Sequence, residues 1–155
     1  MKRNAVAVLA VTVLTVLIFT NLAFAKTTIK FWYAGSSGQD EYFNGATKRF
    51  EAKNPDIVIK RTVLPSPAKD IEARLNAGKL SNTFPDVFAA YLIFIGTRGA
   101  QGDFASMEDY FANWEDKDDL LGSAVEMGRF KGKLVGLGYA PAPLMQLYRK
   151  DYFEE

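Results

Sequence analysis

The strongest constraint on this chain is an alternation. Thr27–Tyr33, Asp56–Leu64 and Val87–Tyr91 are rich in β-branched and aromatic residues, the composition of pleated, half-buried segments. Between them, apolar residues recur at helical spacing. In Asp40–Lys53 they are Phe43, Ala46 and Phe50; in the stretch up to Ala77 they are Ala68, Ile71 and Leu75. Parallel strands that follow one another need a long crossover, and a helix supplies it. The order β-α-β-α-β therefore predicts an α/β fold, a mainly parallel sheet flanked by helices and joined by right-handed crossovers. Asn54-Pro55 stops the first helix, and Pro65 cannot donate to a ladder, so the second strand ends at Leu64. Ser66-Pro67 reads as an N-cap and first helical residue, with Gly78 as the C-terminal cap. The near-continuous apolar run Val87–Tyr91 predicts a central strand covered on both faces.

The first strand opens into Ala34-Gly35-Ser36-Ser37-Gly38-Gln39-Asp40. Two glycines around two serines let the backbone turn sharply and approach a partner. The free N–H groups of the following helix face this loop and favour acceptor oxygens. Strand-loop-helix junctions of this kind are where open α/β sheets take small molecules, although they also serve as plain chain reversals.

After Tyr91 the pattern weakens. Leu92–Ile95 fits a short buried helix or a continued strand equally well. Gly96, Gly99 and Gly102 mark turns, and Met107–Trp114 and Asp119–Met127 read as short helices. Phe130-Lys131-Gly132-Lys133-Leu134 is a tight hairpin turn. Leu144–Tyr148 reads as a strand, with Asp151 capping a further helix. A chain that stops at Glu155, one turn into that helix, reads as truncated.

The N-terminus has a different character. Met1-Lys2-Arg3 is basic, Ala5–Phe19 is apolar apart from two threonines, and Ala23-Phe24-Ala25 has the small-x-small pattern of a cleavage site. Residues 1–25 are expected to be a signal peptide cleaved before Lys26, which directs the protein to the periplasm or another extracytoplasmic space. The competing reading is an uncleaved membrane anchor, because the run is nearly long enough to span a bilayer. Without Lys2 and Arg3, the 19 Lys+Arg fall to 17 against 18 Asp+Glu, a net charge of −1. That balance gives no electrostatic reason to expect nucleic acid as a partner. The chain has no cysteine and no histidine, which removes disulfides, His/Cys zinc sites, Ser-His-Asp triads and Cys-His dyads. No cofactor is expected.

Several stretches, in order, resemble the extracellular solute-binding proteins of bacterial ABC importers, the sugar-binding type. They are Ile29-Lys30-Phe31-Trp32 with its Gly/Ser loop, Phe50–Ile59, Leu75-Asn76-Ala77-Gly78 followed by Pro85-Asp86-Val87, Gly102–Tyr110, Lys131–Leu137 and Leu147–Phe153. The resemblance implies a two-lobed protein that closes on a ligand held between lobes. Residues 26–155 would form part of the N-terminal lobe. It implies a non-enzymatic, monomeric component whose partners are a mono- or oligosaccharide and the transmembrane subunits of a permease. In the family, the loop after the first strand, the end of the third strand and the segment after the Gly-Lys-x-x-Gly hairpin face the cleft. Here those positions carry Ser36 and Ser37, then Tyr91, then Tyr139, with Tyr33 at the strand edge. The chain departs from the maltose-type pattern: Ser36 and Ser37 stand where that branch has charged residues, Ile93 and Phe94 where it has an acid and a base, and Gly138 where it often has proline. Maltodextrin specificity is therefore not expected.

The expected ligand contacts are Tyr33, Ser36, Ser37, Tyr91 and Tyr139. Serine hydroxyls can donate to and accept from sugar hydroxyls, and a tyrosine offers an apolar ring with a polar tip. Ser36 and Ser37 can equally cap the next helix. Trp32 is expected in the core, and Asp86 as a structural turn residue. The acidic run Glu115-Asp116-Lys117-Asp118-Asp119 lacks the oxygen spacing and glycine of a calcium loop and reads as solvated. Two alternatives accompany the sugar. One keeps the fold and places a polyol phosphate or other anion at the helix N-terminus, against which the loop's lack of Lys or Arg counts. The other is a secreted carbohydrate-active enzyme, for which no carboxylate pair is placed, and Gln39 stands where a nucleophile elbow needs glycine.

Overall fold

A computed structural model describes residues 26–64, 67–89, 91–140 and 147–152. The chain divides into two compact units between Ala90 and Tyr91.

The first unit is the predicted β-α-β-α-β. Strand β1 (Thr27–Ala34) leads into α1 (Ser37–Lys53), β2 (Ile57–Leu64), α2 (Ala68–Leu80) and β3 (Val87–Ala89). The sheet order is β2-β1-β3. Both pairings are parallel, with Thr27 opposite Ile57 through Ala34 opposite Leu64, and Phe31 opposite Val87 through Tyr33 opposite Ala89. The middle strand is thus β1, and it carries the longest buried run, Phe31-Trp32-Tyr33-Ala34. Alternation along it sends side chains to both faces. Phe31 and Tyr33 meet Phe43 of α1, with ring centroids 4.8–5.2 Å apart, and Ile59 and Ala89 pack against them. Trp32 points the other way, beneath α2. A Cβ on Gly78 would lie only 3.1 Å from its ring, and the Arg74 guanidinium sits 5.6 Å from the ring centroid. Ile71 and Leu75 of α2 are fully buried.

Several boundaries differ from the sequence reading. α1 begins at Ser37 rather than Asp40, because Ser36 takes the cap position. Gly78 is not a cap: it lies inside α2, where its missing side chain admits Trp32. Ser66 falls outside the described residues. Phe50 is exposed, and Thr47 occupies the buried row with Phe43, donating its hydroxyl to the Phe43 carbonyl at 2.8 Å. Val63 is likewise exposed. The apolar Val87–Tyr91 run does not take the central place expected of it. Among the described residues it forms a three-residue edge strand, and β1 holds the centre. Asp86 lengthens this short ladder: its N–H donates to the Lys30 carbonyl at 2.9 Å, and its carboxylate accepts the Lys30 N–H at 2.7 Å.

In the second unit, Leu92–Ile95 resolves as helix. α3 spans Ile93–Ala100, so Gly96 and Gly99 are helical, and only Gly102, at φ +70°, makes a turn. Short helices α4 (Glu108–Ala112) and α5 (Gly122–Glu126) follow, with a 3-10 turn at Lys117–Asp119 between them. Strands β4 (Arg129–Phe130) and β5 (Lys133–Leu134) form the expected hairpin, whose two turn residues Lys131 and Gly132 have φ of +49° and +80°. Glu108 fastens α4 to this hairpin by accepting the Leu134 N–H and an Arg129 guanidinium N–H, each at 2.8 Å. Arg98 is fully buried, bonded to Asp103 at 3.2 Å and Gln101 at 3.1 Å. Gly99 gives way to the Phe130 ring, which a Cβ would meet at 2.7 Å. The strand expected at Leu144–Tyr148 lies largely outside the described residues; Leu147 and Tyr148 belong to no regular element, and Lys150–Tyr152 is a 3-10 turn.

Candidate ligand-binding site

The sheet order defines the site. From β1 the chain moves to β2 on one side, then returns across β1 to β3 on the other. The helices therefore leave the carboxyl ends in opposite directions, which makes the end of β1 a topological switch point, the place where doubly wound sheets bind ligands. Gly35 and Ser36 occupy that position.

Ser36 is the N-cap of α1, with extended backbone at φ −81° and ψ 175°. Its N–H donates to Gln39 Oε1 at 2.9 Å, the return half of a capping box. Gln39 reaches back across Gly35, where a Cβ would stand 2.8 Å from the Gln39 Cβ and 2.9 Å from its Oε1. Gly35 is thus a space requirement of the cap. Ser36, Ser37 and Gly38 are exposed. They present hydroxyls at the N-terminal end of a 17-residue helix, with Asp40 in its first turn.

Beneath the loop lies a polar cluster that the sequence did not reveal. Tyr33 donates its hydroxyl to Asp40 Oδ1. From β2, Arg61 reaches Asp40 Oδ1 at 3.1 Å, the Tyr33 hydroxyl at 3.3 Å and Asn44 Oδ1 at 3.0 Å. One guanidinium thereby ties the first two turns of α1 to both strands. Burial, then the hydrogen bond to Asp40, raises the Tyr33 pKa above its ordinary value, with the Arg61 charge acting against them.

The expected contact residues separate accordingly. Tyr33 is a core residue: it is 1% exposed, its ring is enclosed by Phe31 and Phe43, and its hydroxyl is taken by Asp40. It offers no face to a ligand. Trp32 is in the core as expected, 6% exposed. Ser36, at the cap, and Ser37, the first residue of α1, are both exposed. Tyr91 and Tyr139 belong to the second unit and keep exposed rings, Tyr91 directly before α3 and Tyr139 after the hairpin segment. The second unit also carries an open, almost wholly apolar depression of about 240 Å³, lined by Met107, Tyr110, Phe111, Trp114 and Leu137. Its period-three aromatic spacing, Phe111 to Trp114, was visible in the sequence but reads equally as core. Among the described residues, no group of three or more His, Cys, Asp or Glu converges as a metal site would require, and no helix is long and apolar enough to cross a membrane. The chemistry on offer is neutral hydrogen bonding at a helix N-terminus.

No protein-family model matches the sequence, and no curated protein sequence does. Solved structures do. The chain is similar to an ABC substrate-binding protein from Listeria monocytogenes in complex with cycloalternan, at 22% identity and a TM-score of 0.59, over 70% of this chain and 27% of that one. It is similar to the sugar-binding protein MalE from Xanthomonas citri at 20% identity and a TM-score of 0.63, over 72% of this chain and 28% of that one. It is also similar to an ABC transporter solute-binding protein from Thermotoga lettingae bound with α-D-tagatose, at 22% identity and a TM-score of 0.58, over 70% and 28%. The chain thus aligns with a little over a quarter of the length of each. Its fold is that of the corresponding part of the extracellular sugar-binding proteins of ABC importers.

Proposed function

We propose that the chain is part of an extracytoplasmic solute-binding component of an ABC importer that binds a carbohydrate between two lobes and presents it to a membrane permease. The observation that carries this reading is the exposed, uncharged Ser36-Ser37 pair at the start of α1, at the switch point of a sheet whose fold is shared with sugar-binding proteins. Ser36 and Ser37 supply the polar contacts of the first lobe, and Tyr91 and Tyr139 the ring contacts. Residues 1–25 act as the export signal, and residues 26–155 contribute to the N-terminal lobe. Ligand binds the closed form better than the open one and shifts the population toward it; the permease reads the closed form. The role is binding, without catalysis.

The test is a thermal-shift screen of purified protein against mono- and oligosaccharides, with inorganic phosphate and a polyol phosphate as competing arms. Stabilisation by a neutral sugar, reduced in Ser36→Ala/Ser37→Ala, supports the reading. Stabilisation by phosphate alone transfers the site to an anionic solute.

A further inference from the structure

Among the described residues, strand β2 is the outer strand of the first unit's sheet, and its outer edge is eight residues long. In a parallel ladder, alternate residues direct both backbone groups to one neighbour. The Thr27 N–H donates to the Asp56 carbonyl at 2.8 Å, which fixes the phase. Val58, Lys60, Thr62 and Leu64 therefore face β1, and the N–H groups of Ile57, Ile59, Arg61 and Val63 face outward. An outward row of this kind is a template for another strand. Two of its four donors are already taken. The Ile57 N–H donates to the Asn54 carbonyl at 3.0 Å in the turn that ends α1. The Ile59 N–H donates to Glu51 Oε1 at 2.6 Å, a side chain from the last turns of α1 folded over the sheet edge.

We infer that Glu51 is the lock on this edge: its carboxylate occupies the place of an incoming strand's carbonyl, and without it β2 would pair edge to edge with β2 of a second copy of this chain. With Glu51 in place, only Arg61 and Val63 remain as outward donors without a partner among the described residues, too short a row to hold a strand. Without it, three alternate donors from Ile59 to Val63 become available, beside the exposed apolar side chains of Val58 and Val63. A pairing about a two-fold axis is self-complementary, so the second copy is the partner that always fits. The exposed Lys60, next to the centre of that row, is a weaker second guard.

The experiment compares the parent with Glu51→Ala, Glu51→Gln and Glu51→Ala/Val63→Pro. Amide exchange at Ile59 and mass by light scattering, over a hundredfold range of concentration, are the readouts. Glu51→Ala is expected to speed Ile59 exchange about tenfold or more, the loss of one hydrogen bond to a charged acceptor, and to give a concentration-dependent dimer. Glu51→Gln keeps an acceptor oxygen and should behave as the parent. The outward proline at position 63 blocks strand addition and should return Glu51→Ala to the parent's mass. A Glu51→Ala protein that keeps the parent's mass throughout, or an association that Val63→Pro leaves intact, overturns the inference. So does a parent in which Ile59 exchanges as fast as Arg61 and Val63, a measurement that needs no variant to fold.

Discussion

Replacing Tyr33 by phenylalanine isolates one hydroxyl beneath the candidate loop. The ring contacts with Phe31 and Phe43 survive, so the change removes the bond to Asp40 and the contact with Arg61 and little else. A hydrogen bond to a charged acceptor contributes about 1.5–3 kcal/mol. The Asp40 side chain is 50% exposed and keeps Arg61 at 3.1 Å, which places Tyr33→Phe at the low end, about 1.5 kcal/mol. For a unit of this size that lowers Tm by about 6–12 °C. Tyr33→Ala also empties the space between two rings and is expected to lose about 3–5 kcal/mol, a large share of the whole stability. Urea titrations of the three proteins give the comparison. The neutral phenol is the form the fold favours. Its contribution is complete below the ordinary tyrosine pKa and is lost as pH rises through the higher folded-state value. The gap between parent and Tyr33→Phe should therefore hold steady up to about pH 10 and shrink above it. Two results refute the reasoning: a Tyr33→Phe midpoint equal to the parent's, or unchanged stability with a selective loss of affinity for a sugar that stabilises the parent. The second returns Tyr33 to the ligand wall.

Gly128→Ala should disrupt the second unit, because a Cβ there would lie 1.8 Å from the Gly136 carbonyl oxygen. The expected loss is about 3 kcal/mol or more, read by Trp114 fluorescence in a Trp32→Phe background. Gly35→Ala should displace Gln39 and free the Ser36 N–H, costing about 1 kcal/mol. If that mechanism is right, Gly35→Ala/Gln39→Ala is no less stable than Gln39→Ala alone, whereas additive losses refute it. The Leu134 N–H, and after it the Arg129 guanidinium, hold the Glu108 carboxyl below the ordinary carboxylate range, opposed by partial desolvation. That stabilisation is present above the ordinary pKa and is lost as pH falls through the lower folded value. Glu108→Gln should flatten the acid limb of the second unit's stability profile, and an unchanged limb counts against the clasp.

The first unit was legible because its signals are local and agree with one another. Asn54-Pro55 separates α1 from β2 through backbone rules that act within a few residues. The weaker readings failed where a residue's role depends on a distant neighbour. Gly78 has the composition of a cap, yet Trp32, 46 positions earlier, requires it to be small inside the helix. Val87–Tyr91 has the composition of a central strand, but among the described residues it pairs with β1 alone, which holds the centre. The site divides in the same way. Ser36 and Ser37 could be placed at the end of β1 from sequence, whereas the Tyr33-Asp40-Arg61-Asn44 cluster joins three elements and has no sequence spacing of its own.

The sequence by itself determined the α/β alternation, the turn after β1 and the tight hairpin turn at Lys131-Gly132, since each follows from backbone preferences of adjacent residues. Only the tertiary structure decided that β1 lies at the centre, that Tyr33 belongs to the core while Ser36 and Ser37 stay exposed, and that Glu51 covers the sheet edge. Those outcomes depend on which surfaces meet, and parallel strands joined by helices bring together residues that the chain holds far apart.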